Sequence, residues 1–191
     1  MGNGCTAAIV GERSDLDEER DFVARARRDR AAFTQLYRRY YDDVTSYVYR
    51  RLGDVHATED VVAEVFLAVM QSLRRYQYRG IPLKAWLYRI ATNSVNRWLR
   101  RNRRYVLGHP ATAQDGGEAI LDPREREDTT SAREAMLALS PKHQTVLSLH
   151  YFEGLSVEEV ASVIGCRVGT VKSRLSRGRK SLQQELLRRR S

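Results

Sequence analysis

The chain has 191 residues, a net charge of +9 and 30% charged residues, which suits one domain or two small ones and an anionic partner such as nucleic acid. No apolar run approaches the roughly 20 residues that a membrane helix needs, and the first residues lack the basic and apolar regions of a secretory signal. The two cysteines lie far apart and match no metal-ligand spacing, which is typical of a reduced cytoplasmic protein. We therefore expect no membrane association, no metal and no other cofactor.

The charge is distributed unevenly along the chain. Residues 32–104 carry 14 Lys and Arg against 6 Asp and Glu, and residues 132–191 carry 11 against 5. The stretch between them is acidic and contains Gly and Pro, a composition typical of a linker. The pattern predicts four segments: a disordered N-terminus (1–20), a basic module (21–104), a flexible acidic linker (105–131) and a second basic module (132–188).

The first basic module begins with two predicted amphipathic helices. Apolar residues recur every three or four positions through residues 33–52, and Gly53 is expected to end this helix. A second helix is predicted over about residues 58–73. Its Asp60 and Glu64 lie four residues apart, so both carboxylates share the outer face of the helix.

A third helix of this module is predicted to carry a polar face. Gly80 and Pro82 interrupt the helical pattern and predict a loop around the sequence RGIPLK. The helix then follows over residues 85–104. The face opposite its apolar stripe holds hydrogen-bonding side chains spaced to lie along one groove: Arg89, Asn93, Asn96, Arg97 and Arg100.

The second basic module has the pattern of a helix-turn-helix. A Ser-Pro pair at 140–141 predicts a helix start. The capping box at 156–159 starts a short helix that is expected to stop at Gly165, and a longer basic helix runs to about Leu187. Because no segment shows the alternation of a strand, the predicted fold class is all-α, with two small helical domains.

The stretch GTVKSRLSRGRK, residues 169–180, has one apolar and one cationic side. Val171 and Leu175 suit packing on other helices. Lysine and arginine neutralise phosphate and donate to guanine, and serine donates or accepts, so the other side suits the major groove of DNA. A solvated basic face is the alternative interpretation, which the capped helix and glycine turn before it disfavour. Gly178, inside the helix, is expected to permit close packing.

Two long runs of the chain resemble parts of a bacterial RNA polymerase sigma factor. The C-terminal run resembles region 4 of such a factor: LSPKHQTVLSLHYFEGLSVEEVASVIGCRVGTVKSRLSRGRKSLQQEL. The N-terminal run resembles region 2: AFTQLYRRYYDDVTSYVYRRLGDVHATEDVVAEVFLAVMQSLRRYQYRGIPLKAWLYRIATNSVNRWLRRNRR. The two occur in the right order with a short linker between them. This is the layout of the extracytoplasmic-function (ECF) group of the sigma-70 family.

The resemblance implies a function and a set of DNA-binding residues. The protein would bind core RNA polymerase in the bacterial cytoplasm, direct it to a promoter and help to melt the −10 element. Region 4 would read the −35 element with Thr170, Lys172, Ser173, Arg174, Ser176 and Arg177. In region 2, a loop from Arg79 to Lys84 would receive a flipped base. The whole −10 set would be Tyr76, Tyr78, Arg79, Gly80, Lys84, Trp86, Asn93, Asn96 and Arg97, in which the aromatic rings either stack on bases or belong to the core.

The resemblance also implies two protein partners. Asp60 and Glu64 fall where the family contacts the clamp helices of the largest polymerase subunit. An acidic pair on a basic module suits arginines on a protein better than DNA, and a merely solvated pair is the alternative. Many members of the group are held inactive by an anti-sigma factor, so such a partner is expected.

Two other classes of protein remain as alternatives. An ordinary helix-turn-helix regulator would explain the second module and would bind DNA without polymerase, but it leaves the first module unexplained. For an enzyme, the four histidines show no ligand spacing, and no nucleophile–base set, phosphate loop or supported carboxylate pair is present. The sequence therefore predicts no catalytic residues.

Overall fold

The protein was analysed as a computed structural model, which describes residues 19, 21–76, 81–102 and 123–190. All regular structure in these residues is helical, so the predicted all-α class is confirmed. The elements are α1 (21–26), α2 (Arg30–Leu52), α3 (Val55–Leu73), α4 (Leu83–Arg101), α5 (Pro123–Ala138), α6 (Pro141–Leu147), a π-helical turn (Ser148–Phe152), α7 (Val157–Ile164) and α8 (Val168–Arg190).

Short polar residues determine where the helices of the first module begin. The side chain of Asp29 accepts a hydrogen bond from Ala31 N at 2.8 Å, and Asp54 accepts one from Ala57 N at 2.7 Å. Each carboxylate satisfies an amide that has no partner within the helix. Because Asp54 caps α3, this helix starts three residues earlier than the predicted position 58. Gly53 has a positive φ of 70° and ends α2, as predicted.

The first module buries one apolar face of each of its three long helices. Helices α2, α3 and α4 pack against one another. Tyr47 and Tyr88 meet edge to face at its centre, with ring centroids 5.3 Å apart. The residues without exposed surface include Leu36, Val44, Tyr47, Val48, Val61, Val65, Val69, Leu87, Tyr88 and Val95. These side chains follow the stripes that the periodicity predicts, except Tyr88, which was not predicted to face inward.

The second module contains more helix than its composition indicates. Helix α5 starts at Pro123, inside the predicted linker, and continues past the predicted boundary between residues 131 and 132. Composition misses this helix because its charged and polar residues carry only a weak apolar period. At Gly178, a Cβ atom would lie 3.2 Å from Leu147 Cδ1, so the predicted close packing of α8 on α6 is confirmed.

The two modules contact each other directly. Helix α4 packs against α7, and α2 packs against α5 and the π-helical turn. Within the described ranges, no helix is long and apolar enough to cross a membrane.

Glu19 belongs to the segment that the sequence assigns to a disordered N-terminus, but it makes specific contacts. Its Oε1 accepts hydrogen bonds from Leu83 N at 2.6 Å and from the Tyr76 hydroxyl at 3.2 Å. Pro82 has no side chain that can cap α4. The Glu19 carboxylate instead accepts a hydrogen bond from a backbone amide in the first turn of α4, which has no partner within the helix.

Candidate nucleic-acid interface

Helix α8 separates an apolar inner face from a cationic outer face. Val171 and Leu175 are buried. They share one side of the helix because residues four positions apart lie above one another. The exposed side chains of the other face include Lys172, Ser173, Ser176 and Arg177. The predicted division of this helix into two faces is confirmed, and its outer face carries donors suited to phosphates and base edges.

The side chain of Arg177 is held in place on this outer face. Its Nε donates to Ser173 O at 3.2 Å, and its Nη2 donates to Ser173 Oγ at 3.2 Å. Ser173 Oγ in turn donates to Thr170 O at 3.0 Å. These bonds restrict the guanidinium before any ligand arrives, which lowers the entropic cost of a contact. Thr170 and Arg174 are half-buried at the sides of the same helix.

The predicted capping box starts α7, and the predicted glycine makes the turn before α8. Ser156 Oγ accepts from Glu159 N at 3.1 Å, and Glu159 Oε2 accepts from Ser156 N at 2.7 Å. Gly165 ends α7 with a φ of 66°, a conformation that favours glycine. The start of α7 and the turn before α8 are therefore both encoded by local residues.

His143, on α6, reports the positive potential around the start of α8. Partial burial lowers the pKa of its imidazole below the ordinary value, and the charges of Lys142, Arg177 and Arg174 lower it further. Several cations therefore converge on one side of the second module. Such a cluster favours an anion such as the DNA backbone.

The polar face of α4 is partly used inside the protein. Asn93 and Arg97 are exposed, as predicted, but Asn96 is half-buried. Arg51 Nη2 donates to Asn96 Oδ1 at 3.5 Å. Arg51 is only 2% exposed and also donates to the Tyr47 hydroxyl at 3.2 Å. Nothing in the sequence singles out Arg51, because a basic residue in the last turn of a helix is usually solvated.

The residues around the predicted base-binding loop fall into two groups. Tyr78, Arg79 and Gly80 lie outside the described residues. Tyr76 is 6% exposed, and its ring centroid lies 4.9 Å from that of Trp86. Its hydroxyl shares one hydrogen between Ile81 O at 3.0 Å and Glu19 Oε1 at 3.2 Å. Both rings pack against the core of the first module, so the core interpretation of these two aromatics holds in this conformation.

Lys84, at the start of α4, points to the other module. Its Nζ donates to Glu153 O at 2.6 Å and lies 6.0 Å from the centroid of the Tyr88 ring. This hydrogen bond engages the ammonium group of Lys84, which the resemblance assigns to DNA binding. Sequence reasoning does not foresee it because the two residues are 69 positions apart.

Helix α3 carries an exposed surface that combines acid and apolar groups. Asp60 and Glu64 are exposed, as their spacing predicts. Leu67 and Met70 lie on the next turn and are 54% and 50% exposed. Both were missed in the sequence analysis, although they are apolar residues outside the inward stripe of α3. Exposed apolar side chains beside charged ones are typical of a protein-binding surface.

Metal binding is not indicated in the part of the chain that the structure describes. No group of three or more His, Cys, Asp and Glu side chains is placed to hold an ion there. Cys166 is a free thiol in this part of the chain.

Comparison with protein families gives two matches in the same order as the two modules. The model of Sigma-70 region 2 matches residues 36–105, and the model of Sigma-70, region 4, matches residues 130–182. Together the matches cover most of α2, all of α3 and α4, and most of the second module. The surface residues of α3, α4 and α8 described above therefore lie in family regions.

Comparison with individual proteins extends the similarity over most of the chain. The ECF RNA polymerase sigma factor SigW of Bacillus subtilis (strain 168) is 30% identical over 170 residues, covering 83% of this chain and 90% of SigW. The sigma factor RpoE of Bartonella quintana, solved with the anti-sigma factor NepR, is 25% identical with a TM-score of 0.65, covering 81% of this chain and 96% of RpoE. CnrH, solved with the cytosolic domain of CnrY, has a TM-score of 0.69 over 91% of this chain and 99% of CnrH, and at 24% identity it supports the fold alone. The chain belongs to the ECF group of RNA polymerase sigma factors.

Proposed function

We propose that this protein binds core RNA polymerase, directs it to specific promoters and helps to melt the −10 element, and that the residues described above divide these tasks. The observation that carries the proposal is the order of regions 2 and 4 on one chain, each with its own cationic helix. The protein carries no catalytic residues of its own in this scheme, because RNA synthesis belongs to the polymerase. Its place of action is the bacterial cytoplasm, where polymerase and promoters occur.

The second module is proposed to read the −35 element with the outer face of α8. Lys172, Ser173, Ser176 and Arg177 face bases or nearby phosphates. Thr170 and Arg174, at the sides of the helix, lie near the DNA backbone. Arginine donates two hydrogen bonds to guanine, so Arg177 is the residue that we expect to contribute most to sequence preference.

The first module is proposed to read the −10 element with α4 and the loop before it. Asn93, Asn96 and Arg97 contact the duplex edge, while the segment from Arg79 to Lys84 receives a flipped base. Flipping costs a few kcal/mol, and a pocket that accepts only the flipped base offsets this cost. Tyr78 is the aromatic residue that we assign to stacking, since Tyr76 and Trp86 support the core.

The polymerase surface is proposed to be the outer face of α3. Asp60 and Glu64 pair with cationic side chains of the polymerase, and Leu67 and Met70 add apolar contact. The charges direct association and specificity, and burial of the apolar pair supports affinity. RpoE was solved with an anti-sigma factor, and we propose that an anti-sigma factor likewise regulates this chain.

The test is binding of the labelled full chain to bacterial core RNA polymerase. An Asp60→Arg/Glu64→Arg variant is compared with the wild type. An Asp42→Arg/Glu158→Arg variant makes the same change of charge at two exposed sites outside α3 and serves as the control. We expect tight binding by the wild type and the control, and a loss of at least tenfold in the test variant.

Transcription in vitro from a pool of genomic fragments then identifies the promoters. Failure of the wild type to bind core, together with binding to duplex DNA alone, would contradict the proposal. That outcome favours an ordinary helix-turn-helix regulator.

A further inference from the structure

Glu153, just after the π-helical turn, joins the two modules. It is 5% exposed. Its carboxylate forms an ion pair with Arg50 and accepts a hydrogen bond from the Tyr88 hydroxyl, and its backbone oxygen accepts from Lys84 Nζ at 2.6 Å. Glu153 belongs to the second module, and these three donors belong to the first. A carboxylate is expensive to bury without partners, so its burial depends on the contact between modules.

The partners of Glu153 are suited to hold a carboxylate. Burial and the hydrogen bond to Glu153 raise the pKa of the Tyr88 hydroxyl above its ordinary value, so the hydroxyl stays protonated and donates. The Arg50 guanidinium also lies over the Phe152 ring, 4.7 Å from its centroid. Arg50 Nε, however, is buried without a hydrogen-bond partner. Separation of the modules would let water reach this atom, which favours a reversible contact.

The contact brings promoter-facing residues of both modules into one cleft. The cleft between α4 and the second module has a volume of about 300 Å³, which corresponds to roughly ten water molecules. Its lining includes Asn93 and Asn96 from one module and Lys142 and Arg174 from the other.

The separation of promoter elements requires a different arrangement. The −35 and −10 elements are about 25 base pairs apart, or roughly 85 Å at 3.4 Å per base pair. Asn93 and Asn96 of α4 and Arg174 of α8 line the same small cleft, so the two helices lie too close together in this conformation to reach both elements at the same time. The modules must therefore separate before the promoter is occupied.

We propose that Glu153 is a latch that holds the protein in a closed conformation unable to occupy a promoter, with Arg50, Tyr88 and Lys84 as its receptor on the first module. This inference rests on the proposed function, since it takes α4 and α8 as the DNA-binding helices. It adds an inhibitory contact within the chain itself. Release of the latch frees the Lys84 ammonium from Glu153 and opens the cleft that Asn93 and Asn96 line.

The experiment measures the distance between modules in the full chain. Fluorescent donor and acceptor labels are placed on Asp42→Cys and Gln184→Cys, two exposed sites, after Cys5 and Cys166 are changed to serine. Tyr88→Phe removes one hydroxyl from the first module, and Glu153→Ala removes the carboxylate from the second. Glu158→Ala, an exposed glutamate of the second module, is the control for charge.

We expect high energy transfer in the wild type and the control, and lower transfer in both latch variants. Loss of a hydrogen bond to a charged group corresponds to a change of about tenfold in the ratio of closed to open molecules. The exchange Arg50→Glu/Glu153→Arg is expected to restore part of the transfer by re-forming the ion pair. Circular dichroism verifies that each variant remains helical, and Tyr88→Phe keeps the test valid if Glu153→Ala does not fold.

A wild type with low transfer, or latch variants with unchanged transfer, would overturn the latch. Core polymerase binding, measured on the same proteins, separates this failure from failure of the proposed function. Unchanged transfer with normal core binding rejects the latch alone. If the latch variants show lower transfer but none of the proteins binds core polymerase, the proposed function is rejected, while the contact between the modules through Glu153 is supported.

Discussion

Glu64 Oε2 and Arg97 Nη1 lie 3.8 Å apart, so α3 and α4 are joined by an ion pair between the proposed polymerase surface and the proposed −10 surface. Both side chains are nearly half exposed, at 45% and 49%. A pair of this kind contributes between about 0 and 1 kcal/mol to stability. Each partner can therefore leave the other for a ligand at little cost.

Glu64→Gln tests this relationship. We expect the free energy of unfolding to fall by less than about 1 kcal/mol, because solvent screens the pair, while affinity for core polymerase falls about tenfold. Chemical denaturation and a core-binding titration measure the two effects. Asp42→Asn, at an exposed acid of α2, is the matched control. A loss of stability without any loss of core affinity would assign Glu64 a structural role only.

Arg177→Ala is expected to weaken promoter DNA binding by the holoenzyme and to relax base preference where the arginine reads the −35 element. Loss of a bidentate contact to guanine costs about 1–3 kcal/mol of discrimination. The measurement uses a duplex selected from a random pool by the wild-type holoenzyme, and variants of that duplex. Arg188→Ala is the control, since Arg188 pairs with Glu185 at 3.1 Å, well beyond the DNA-facing turn.

If Arg177 contacts only phosphate, affinity will fall equally for all sequences and the salt dependence of binding will decrease by about one counterion. Equal binding by Arg177→Ala and the wild type would contradict the assignment of the outer face of α8.

Gly178→Val is expected to destabilise the second module. A Cβ atom at this position lies 3.2 Å from Leu147 Cδ1 and 3.4 Å from His143 Cβ, so a branched side chain does not fit. Overpacking of this kind costs about 1–3 kcal/mol, as measured by thermal unfolding. Gly169→Ala is the control, because a Cβ there meets no atom within 4 Å. Equal unfolding temperatures for the two variants would contradict the close packing of Gly178 against Leu147 and His143.

The pKa of His143 is expected to lie below 6.5 in the free protein and to rise on DNA binding. Burial is the largest cause of the low pKa, and the charges of Lys142, Arg177 and Arg174 lower it further. Phosphates of bound DNA neutralise these three cations, so the pKa rises. Because the folded-state value is depressed, the contribution of His143 to stability is complete above pH 6.5 and is lost as the pH falls toward the folded-state pKa.

A titration of the imidazole resonances by NMR measures this pKa with and without duplex DNA. Lys142→Ala should raise the value in the free protein. A free-protein pKa at or above 6.5 would show that the cations do not act on this ring.

Local chemistry made much of the second module predictable. The capping box at Ser156, the left-handed turn at Gly165 and the two faces of α8 depend on residues within a few positions of one another. The three long helices of the first module follow from the same periodicity, and the order of regions 2 and 4 is written in the sequence. Composition, however, hid the start of α5, whose charged residues look like linker.

Contacts between distant residues were decided only by the tertiary structure. Nothing local to Arg51 indicates that its guanidinium is buried between the modules, where Nε donates to Gln144 Oε1 at 3.3 Å. Glu153 likewise resembles any acid before a glycine turn until Arg50 and Tyr88 surround it. Periodicity reports which side of a helix is apolar, but it carries no information about which polar groups from another module arrive to satisfy a buried charge. That pairing depends on how the two modules pack.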